Sequence, residues 1–331
     1  MSVISNWATA FQTTNLPEGV EADTVSKWII MTRASVFPMT FFAAAIGGLL
    51  AIPGGSAAFG PWCLAAFGLL LAHAGNNLMN DYFDLESGVD TPEYARALYA
   101  PHPVLSGWIS KRQLLLAIGL VNLAGVATAL YLVWLRGWPA AAFALAGFSL
   151  SVFYVAPPLR LKHHGLGEPS VFVIWGPLMV AGTYFVTAGQ LPGWVWAASL
   201  PYGLLVTTVL FGKHIDKIEL DSAKGIHTLP VLLGDRLARR TNQALILGFF
   251  AGVLGLVATG TLGVWTLLVL GALPRLRKTL RFYNRPKPEK PPENYSVWPL
   301  WYVSAAFVLT RQAGALFALG LVLNAVWPLH L

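Results

Sequence analysis

Two clusters of acidic and amide residues interrupt a chain that is otherwise poor in charge. The first reads Asn76-Asn77-Leu78-Met79-Asn80-Asp81-Tyr82-Phe83-Asp84-Leu85-Glu86-Ser87-Gly88-Val89-Asp90, and the second Asp216-Lys217-Ile218-Glu219-Leu220-Asp221-Ser222-Ala223-Lys224-Gly225. Each ends a long apolar stretch. A carboxylate beside lipid costs about 2.5–3.5 kcal/mol or more, so these groups imply a task. Hard oxygen donors in such number suit Mg²⁺, which takes one or two carboxylates and leaves the rest of its shell to water and phosphate oxygens. If the first cluster continues a helix, Asn77, Asn80 or Asp81, and Asp84 share a face, and Gly88 lets the chain turn and carry Asp90 back towards it. In the second cluster His214, Lys217 and Asp221 share a face, with Asp216 and Glu219 offset. The competing readings are a solvated helix end for the first cluster and a surface ion pair between Lys217 and Asp221 for the second. Two such clusters at one membrane depth favour chemistry, and the chemistry they favour is a membrane enzyme handling a diphosphate.

Between the clusters, on the same side, lies Tyr154-Val155-Ala156-Pro157-Pro158-Leu159-Arg160-Leu161-Lys162-His163-His164-Gly165. The planar fork of Arg160 and the point charge of Lys162 both suit diphosphate oxygens, although charge that only sets topology explains either residue alone. Arg33, where the first span begins, either snorkels to the headgroups or touches substrate. The histidines show no metal-ligand spacing, and His73, one turn above the first cluster, reads as an interior histidine.

The elements that must position these groups are membrane helices. The chain has 331 residues, of which 56% are hydrophobic and 11% charged, against about 25% charged in soluble domains. Nine stretches approach the roughly 20 apolar residues needed to cross a bilayer, at 34–53, 60–80, 112–134, 137–156, 169–188, 193–212, 241–259, 261–274 and 298–327. Strand-type alternation is missing, which excludes a membrane barrel. The expected fold is therefore all-α and polytopic: two four-helix halves around a central cavity, with a ninth helix added. No loop is long enough for a core of its own, so residues 1–331 form one domain. It carries an N-terminal interfacial segment at 1–33, with a short helix over 20–33, and a basic, proline-rich linker at 275–297. The net charge of +7 does not signal nucleic acid, because Lys and Arg gather in alternate loops. That pattern places the N-terminus and both clusters in the cytoplasm, with the protein in the plasma or inner membrane. A lone Cys63 allows no disulfide within one chain, and residues 1–30 lack the pattern of a cleaved signal.

These residues resemble the UbiA superfamily of intramembrane prenyltransferases. Its first motif, NDxxDxxxD, is matched by Asn80-Asp81-Tyr82-Phe83-Asp84, with Gly88 at the place of the last Asp. Gly88-Val89-Asp90 is similar to the variant of the menaquinone branch, and Pro103-Val104-Leu105-Ser106-Gly107-Trp108-Ile109-Ser110 looks like the loop after that motif. The segment from Asp221 to Leu229 fits the end of the second motif. Gly165-Leu166-Gly167-Glu168, Gly176-Pro177-Leu178 and Gly182-Thr183-Tyr184 resemble the dihydroxynaphthoate polyprenyltransferase branch.

The resemblance implies a polyprenyl diphosphate donor, an aromatic quinone precursor as acceptor, membrane lipid as surroundings, and no obligate protein partner. It implies Mg²⁺ held by Asn80, Asp84 and Asp221 with help from Asp81, Asp90 or Asp216. Arg33, Tyr154, Arg160, Lys162 and Lys213 are expected on the diphosphate, and Asp84, Asp221 and Lys217 at the centre of catalysis. The chain departs from the family in having Lys217 where an Asp is usual and Asp216 where an Arg is usual, which bears on a second metal. A secondary transporter is the first rival, though its coupling acids would sit at the bilayer midplane and not at span ends. A relative that binds prenyl lipid without catalysis is the second.

Overall fold

Long apolar runs fold as helices because a helix closes its backbone hydrogen bonds within itself, as lipid demands. The computed structural model describes residues 2–329 other than 18, 294 and 296, and these residues form an all-helical chain. Two short helices come first, α1 (Val3–Thr13) and α2 (Thr24–Met31). Asp23 starts α2 by accepting the backbone N–H groups of Val25 and Ser26, so α2 falls within 20–33, where a short helix is expected; α1, in the same N-terminal segment, is not expected as a helix. There follow α3 (Phe37–Ala51), α4 (Phe59–Glu86), the short α5 (Ala95–Tyr99), α6 (Lys111–Arg136) and α7 (Trp138–Val155).

The next span is composite: α8 (Gly167–Val173) widens into a π-helical stretch, Ile174–Ala181, and continues as α9 (Gly182–Ala188). Pro177 sits inside the π-helical stretch, where its missing N–H and its ring loosen the helical ladder. The second half holds α10 (Gly193–Ile215), α11 (Ile218–Ala223), α12 (Leu229–Leu233) and α13 (Asp235–Ala258). A 3-10 stretch, Val264–Ala272, then leads into α14 (Leu273–Tyr283), and α15 (Tyr302–Val326) closes the chain.

Seven of these segments are long and apolar enough to span a membrane. The two expected spans outside that set are 60–80, which falls in α4 ahead of the first acidic cluster, and 261–274, most of which is the 3-10 stretch Val264–Ala272. Boundaries move in three places. α4 runs to Glu86, so the first cluster is helical nearly to its end. α13 begins at Asp235, not 241. Residues 275–283 of the expected linker are helix, with Leu276, Thr279 and Tyr283 buried along one side.

Burial separates the lipid-facing helices from the central one. In α6 only 11% of the most apolar window is buried within the protein, against 72% in α10. A helix apolar all round belongs in lipid or in a core; α6 takes the first place and α10 the second. α10 packs on α8, the π stretch, α13 and α15. Its Tyr202 is fully buried and donates to the carbonyl of Met39 in α3 at 2.9 Å.

The halves echo one another at the polar end. Four residues after Asp84 stands Gly88 (φ +72°), and four after Asp221 stands Gly225 (φ +67°); both take the left-handed conformation that glycine adopts without penalty. Each turn folds back on its acid, with Asp90 N–H on the Asp84 carbonyl at 3.0 Å and Ile226 N–H on the Asp221 carbonyl at 2.9 Å. Val89, Tyr94 and Ile226 pack together, and Lys224 donates to the Gly88 carbonyl at 2.9 Å. The two acidic turns are thereby joined.

Candidate active site

A cavity of about 680 Å³ lies among α3, α4, α6, α7, the π stretch and α10. Its inner wall is apolar, with residues such as Leu69, Val126, Val133, Phe148 and Met179. Its polar end gathers Arg33, Asn80, Asp84, Asp90, Lys162 and Lys217. A long apolar lumen with charge at one end matches an amphiphile that has an ionic head and a hydrocarbon tail.

At the polar end of α4, Lys162 donates to both oxygens of Asp84 at 2.7 and 2.6 Å and to Oδ1 of Asn80 at 3.3 Å. Lys162 belongs to a short 3-10 turn, Leu161–His163, after α7. Asp90 is returned to this group by the Gly88 turn, and both of its carboxylate oxygens are buried without a hydrogen bond. His102 Nε2 lies 3.4 Å from Asp90 Oδ2.

Asp81 has a different part. Its carboxylate accepts from the Arg33 guanidinium and, at 3.2 Å, from Nε and Nη2 of Arg96, with all three residues buried. Arg96 is fixed further by the Ala100 carbonyl at 3.0 Å. Asp81, Asp90 and His102 do bring one donor atom each within 4.8 Å of one another. Two guanidinium groups nevertheless occupy Asp81, and it is better described as the anion that orients Arg33 and Arg96 than as a metal ligand.

In the second half Lys217 donates to Oδ1 of Asp221 at 3.1 Å and to the Tyr94 hydroxyl at 3.0 Å, and Tyr94 donates in turn to Asp221. Burial works against the charge on both partners. Asp221 and Tyr94 outweigh it and hold the Lys217 ammonium well above its ordinary range, while Lys217 and the bond from Tyr94 hold Asp221 below its own. Oδ2 of Asp221 is buried and unpartnered. Tyr99 lies beside Lys213, whose ammonium is 5.8 Å from its ring centroid. Burial resists ionisation of its phenol, but Lys213, Arg33 and Arg96 prevail and lower its pKa to about 8.

The donor atoms suit Mg²⁺. Asn80, Asp84, Asp90 and Asp221 offer hard oxygens only, and three buried carboxylate oxygens, two on Asp90 and one on Asp221, have no partner. A buried polar atom without a partner costs about 1–3 kcal/mol, more if charged, which a divalent cation would offset.

The structure thus brings Arg33, Asn80, Asp84, Asp90, Tyr154, Lys162, Lys213 and Lys217 to one cavity, with Asp221 directly behind Lys217. It does not bring Asp216 or Arg160. The Asp216 carboxylate accepts the N–H groups of Tyr302 and Val303, at 2.9 and 3.0 Å, and caps α15. That requires α10 to end at Ile215, which turns Asp216 away from the cavity. Arg160 is two residues from Lys162, at a left-handed φ of +39°, and does not line the cavity; residues two apart do not face the same way. The residues that sequence reasoning did not place in the site are Tyr94, Arg96, Tyr99, His102 and Glu168; it puts His214 on the face of Lys217 and Asp221 but gives it no role. One signal was available for Arg96: a second acid inside the first motif needs its own counter-charge, and the following loop contains one arginine.

Residues 40–301 match the UbiA prenyltransferase family. A 1,4-dihydroxy-2-naphthoate octaprenyltransferase from Escherichia coli (strain K12) is 30% identical over 266 residues, covering 78% of this chain and 85% of that protein. The apo structure of a UbiA homolog from Aeropyrum pernix K1 superposes with a TM-score of 0.66 at 17% identity, over 88% of this chain and 98% of its own. A UbiA homolog from Archaeoglobus fulgidus bound to GPP and Mg²⁺ does so with a TM-score of 0.60 at 16% identity, over 88% and 99%. Those two likenesses speak for the fold, whereas the match over 40–301 takes in both acidic motifs and the cavity between them: this multi-pass membrane protein belongs to the UbiA prenyltransferase family.

Proposed function

We propose that the protein transfers a polyprenyl group from a polyprenyl diphosphate to an aromatic quinone precursor of the dihydroxynaphthoate type, a step of menaquinone biosynthesis. The observation that carries this reading is the single cavity in which Lys162, Lys213, Lys217 and Arg33 meet Asn80, Asp84 and Asp90 at one end of an apolar lumen. The naphthoate acceptor rests on the octaprenyltransferase relative, and use of Mg²⁺ is supported by the Mg²⁺-bound neighbour and the unpartnered carboxylate oxygens. The charge gathered at this end supports a cytoplasmic site.

Asn80, Asp84 and Asp90 from the first half and Asp221 from the second would hold Mg²⁺. When bound, the metal neutralises the diphosphate oxygens as the leaving group departs. The chain's own groups do the rest. Lys162 already bridges Asn80 and Asp84, and its ammonium is within a side chain's reach of any diphosphate bound there. Arg33 and Arg96, held by Asp81, add fixed donors, and such preorganised charge usually contributes more than any other effect to catalysis of this kind. The apolar wall holds the prenyl chain and excludes water from the electrophilic carbon.

The test is direct. Purified protein incubated with octaprenyl diphosphate, 1,4-dihydroxy-2-naphthoate and Mg²⁺ should release diphosphate and yield a prenylated ring by mass analysis, and excess chelator should stop both. Tight binding of the prenyl diphosphate without release would identify a lipid-binding relative, and release unaffected by chelator would remove the metal from the reaction.

A further inference from the structure

His214 takes no part in the leaving-group chemistry, yet it lines the same cavity, near the end of α10. Its Nδ1 lies 2.6 Å from Oε1 of Glu168, the acid in the first turn of α8. Both side chains are only 2% exposed. The other Glu168 oxygen is buried without a partner, so the carboxylate is committed to this one contact. Among the described residues no group hydrogen-bonds His214 Nε2.

A carboxylate on Nδ1 selects the tautomer in which Nδ1 carries the hydrogen, leaving the Nε2 lone pair free. The same carboxylate offsets the charge that the ring acquires on taking a proton. That compensation matters here, because Lys213 and Lys217 lie on either side of His214 in the chain and line the cavity with it. Without Glu168, an imidazolium among these ammonium groups would be strongly disfavoured. A pair that served only to clamp α8 to α10 would need neither a titratable ring at the cavity wall nor a free Nε2.

We infer that His214, oriented and balanced by Glu168, is the base that accepts the proton given up by the aromatic acceptor. This rests on the prenyl-transfer reading. The bond between the allylic carbon and the diphosphate oxygen breaks, and its electron pair leaves on the diphosphate. An electron pair of the ring forms the new carbon–carbon bond. The proton that the ring must then lose, from the substituted carbon or through a ring hydroxyl, passes to Nε2, and the ring regains aromaticity. His214 touches the substrate in this assignment; Glu168 is a positioning residue.

The experiment uses the full chain in detergent with geranylgeranyl diphosphate and 1,4-dihydroxy-2-naphthoate as probes. His214→Ala should lower turnover by about 10²–10⁴-fold, the range of general-base catalysis, while binding of geranylgeranyl diphosphate stays within about threefold of wild type, which also reports an intact fold. Added imidazole should restore at least about tenfold of the lost rate, with substituted imidazoles ordered by their basicity, a response that a purely structural histidine would not give. Glu168→Gln keeps a hydrogen-bond partner for Nδ1 but not the charge, and should cost about tenfold. Turnover of His214→Ala close to wild type would overturn the assignment, as would a loss of diphosphate binding in parallel with turnover that no imidazole restores. If the unmodified protein prenylates none of the probes, the functional reading itself falls and the base assignment with it, an outcome distinct from an active wild type with an equally active variant.

Discussion

The two halves of the molecule present the same device, an acid followed four residues later by a left-handed glycine, and put it to different use. In the first half α4 runs unbroken to Glu86, so Asn80 and Asp84 share a face and the Gly88 turn adds Asp90. Three oxygen-bearing side chains converge on one place. In the second half the helix breaks after Ile215, Asp216 leaves to cap α15, and the cavity receives Lys217 in front of Asp221. Each acid meets an ammonium group, Asp84 that of Lys162 and Asp221 that of Lys217, but only in the second half does that cation come from within the acidic motif itself, four residues before the acid. A metal site therefore need not be duplicated when the fold is: an ammonium group can supply positive charge, though without the octahedral template of Mg²⁺.

The largest expected effects test that asymmetry. Asp84→Asn should cut turnover by about 10³-fold at saturating Mg²⁺, because a ligand facing the leaving group acts mainly in the transition state. Asp221→Asn should also cost orders of magnitude, but less than Asp84→Asn, since Asp84 lines the cavity with Asn80 and Asp90 whereas Asp221 stands behind Lys217. A greater loss at Asp221 than at Asp84, measured as kcat across a Mg²⁺ titration, would mean that the second half carries the principal metal. The next effect down concerns Lys217. Lys217→Ala should weaken prenyl diphosphate binding by about tenfold, the worth of roughly 1.4 kcal/mol, and leave the Mg²⁺ dependence as it was. Lys217→Asp should make turnover depend more steeply on Mg²⁺, by restoring a second carboxylate beside Asp221. A silent Lys217→Ala would leave the ammonium without a part in catalysis.

The first half was largely legible in the sequence and the second was not, for a physical reason. Asn80, Asp84, Gly88 and Asp90 interact within eleven residues, so helical spacing and the freedom of glycine suffice to place them. The break after Ile215 carries no local mark: Gly212-Lys213-His214-Ile215-Asp216-Lys217 contains no proline, and nothing in it requires the helix to end. The break is stabilised by backbone N–H groups 86 and 87 residues away, at the start of α15. Arg96 was hidden in a similar way. In a loop it reads as topogenic charge, and only its pairing with buried Asp81 shows it as a fixed donor. Tyr94 and Glu168 acquire their roles from Asp221 and His214, 127 and 46 residues distant. The positions of the spans, by contrast, follow from apolar length alone, and the seven segments long and apolar enough to cross a membrane each overlap an expected span.

The smallest expected effect is the most discriminating between the halves. If Asp216 caps α15, replacing it should change stability and leave Mg²⁺ affinity and turnover alone. The sign of the stability change depends on pH. Burial raises the Asp216 pKa from the ordinary 3.8 to about 7, even though the Tyr302 and Val303 N–H groups and Lys287 favour the anion. A carboxyl whose folded pKa lies above its unfolded one stabilises the fold fully below about pH 4, and that contribution is lost as pH rises through about 7. Asparagine resembles the neutral acid: it offers one acceptor oxygen and no charge. Asp216→Asn should therefore match wild type in thermal midpoint at or below about pH 4, begin to exceed it by about pH 5, and exceed it by several degrees near pH 8, at about 2 °C per kcal/mol for a chain of this size. Taking the difference between variant and wild type at each pH cancels the other groups that titrate in the window. A variant less stable than wild type by the same margin at low and high pH alike would show that the charged cap outweighs its burial. A fall in Mg²⁺ affinity would return Asp216 to the metal and restore the symmetry between the halves.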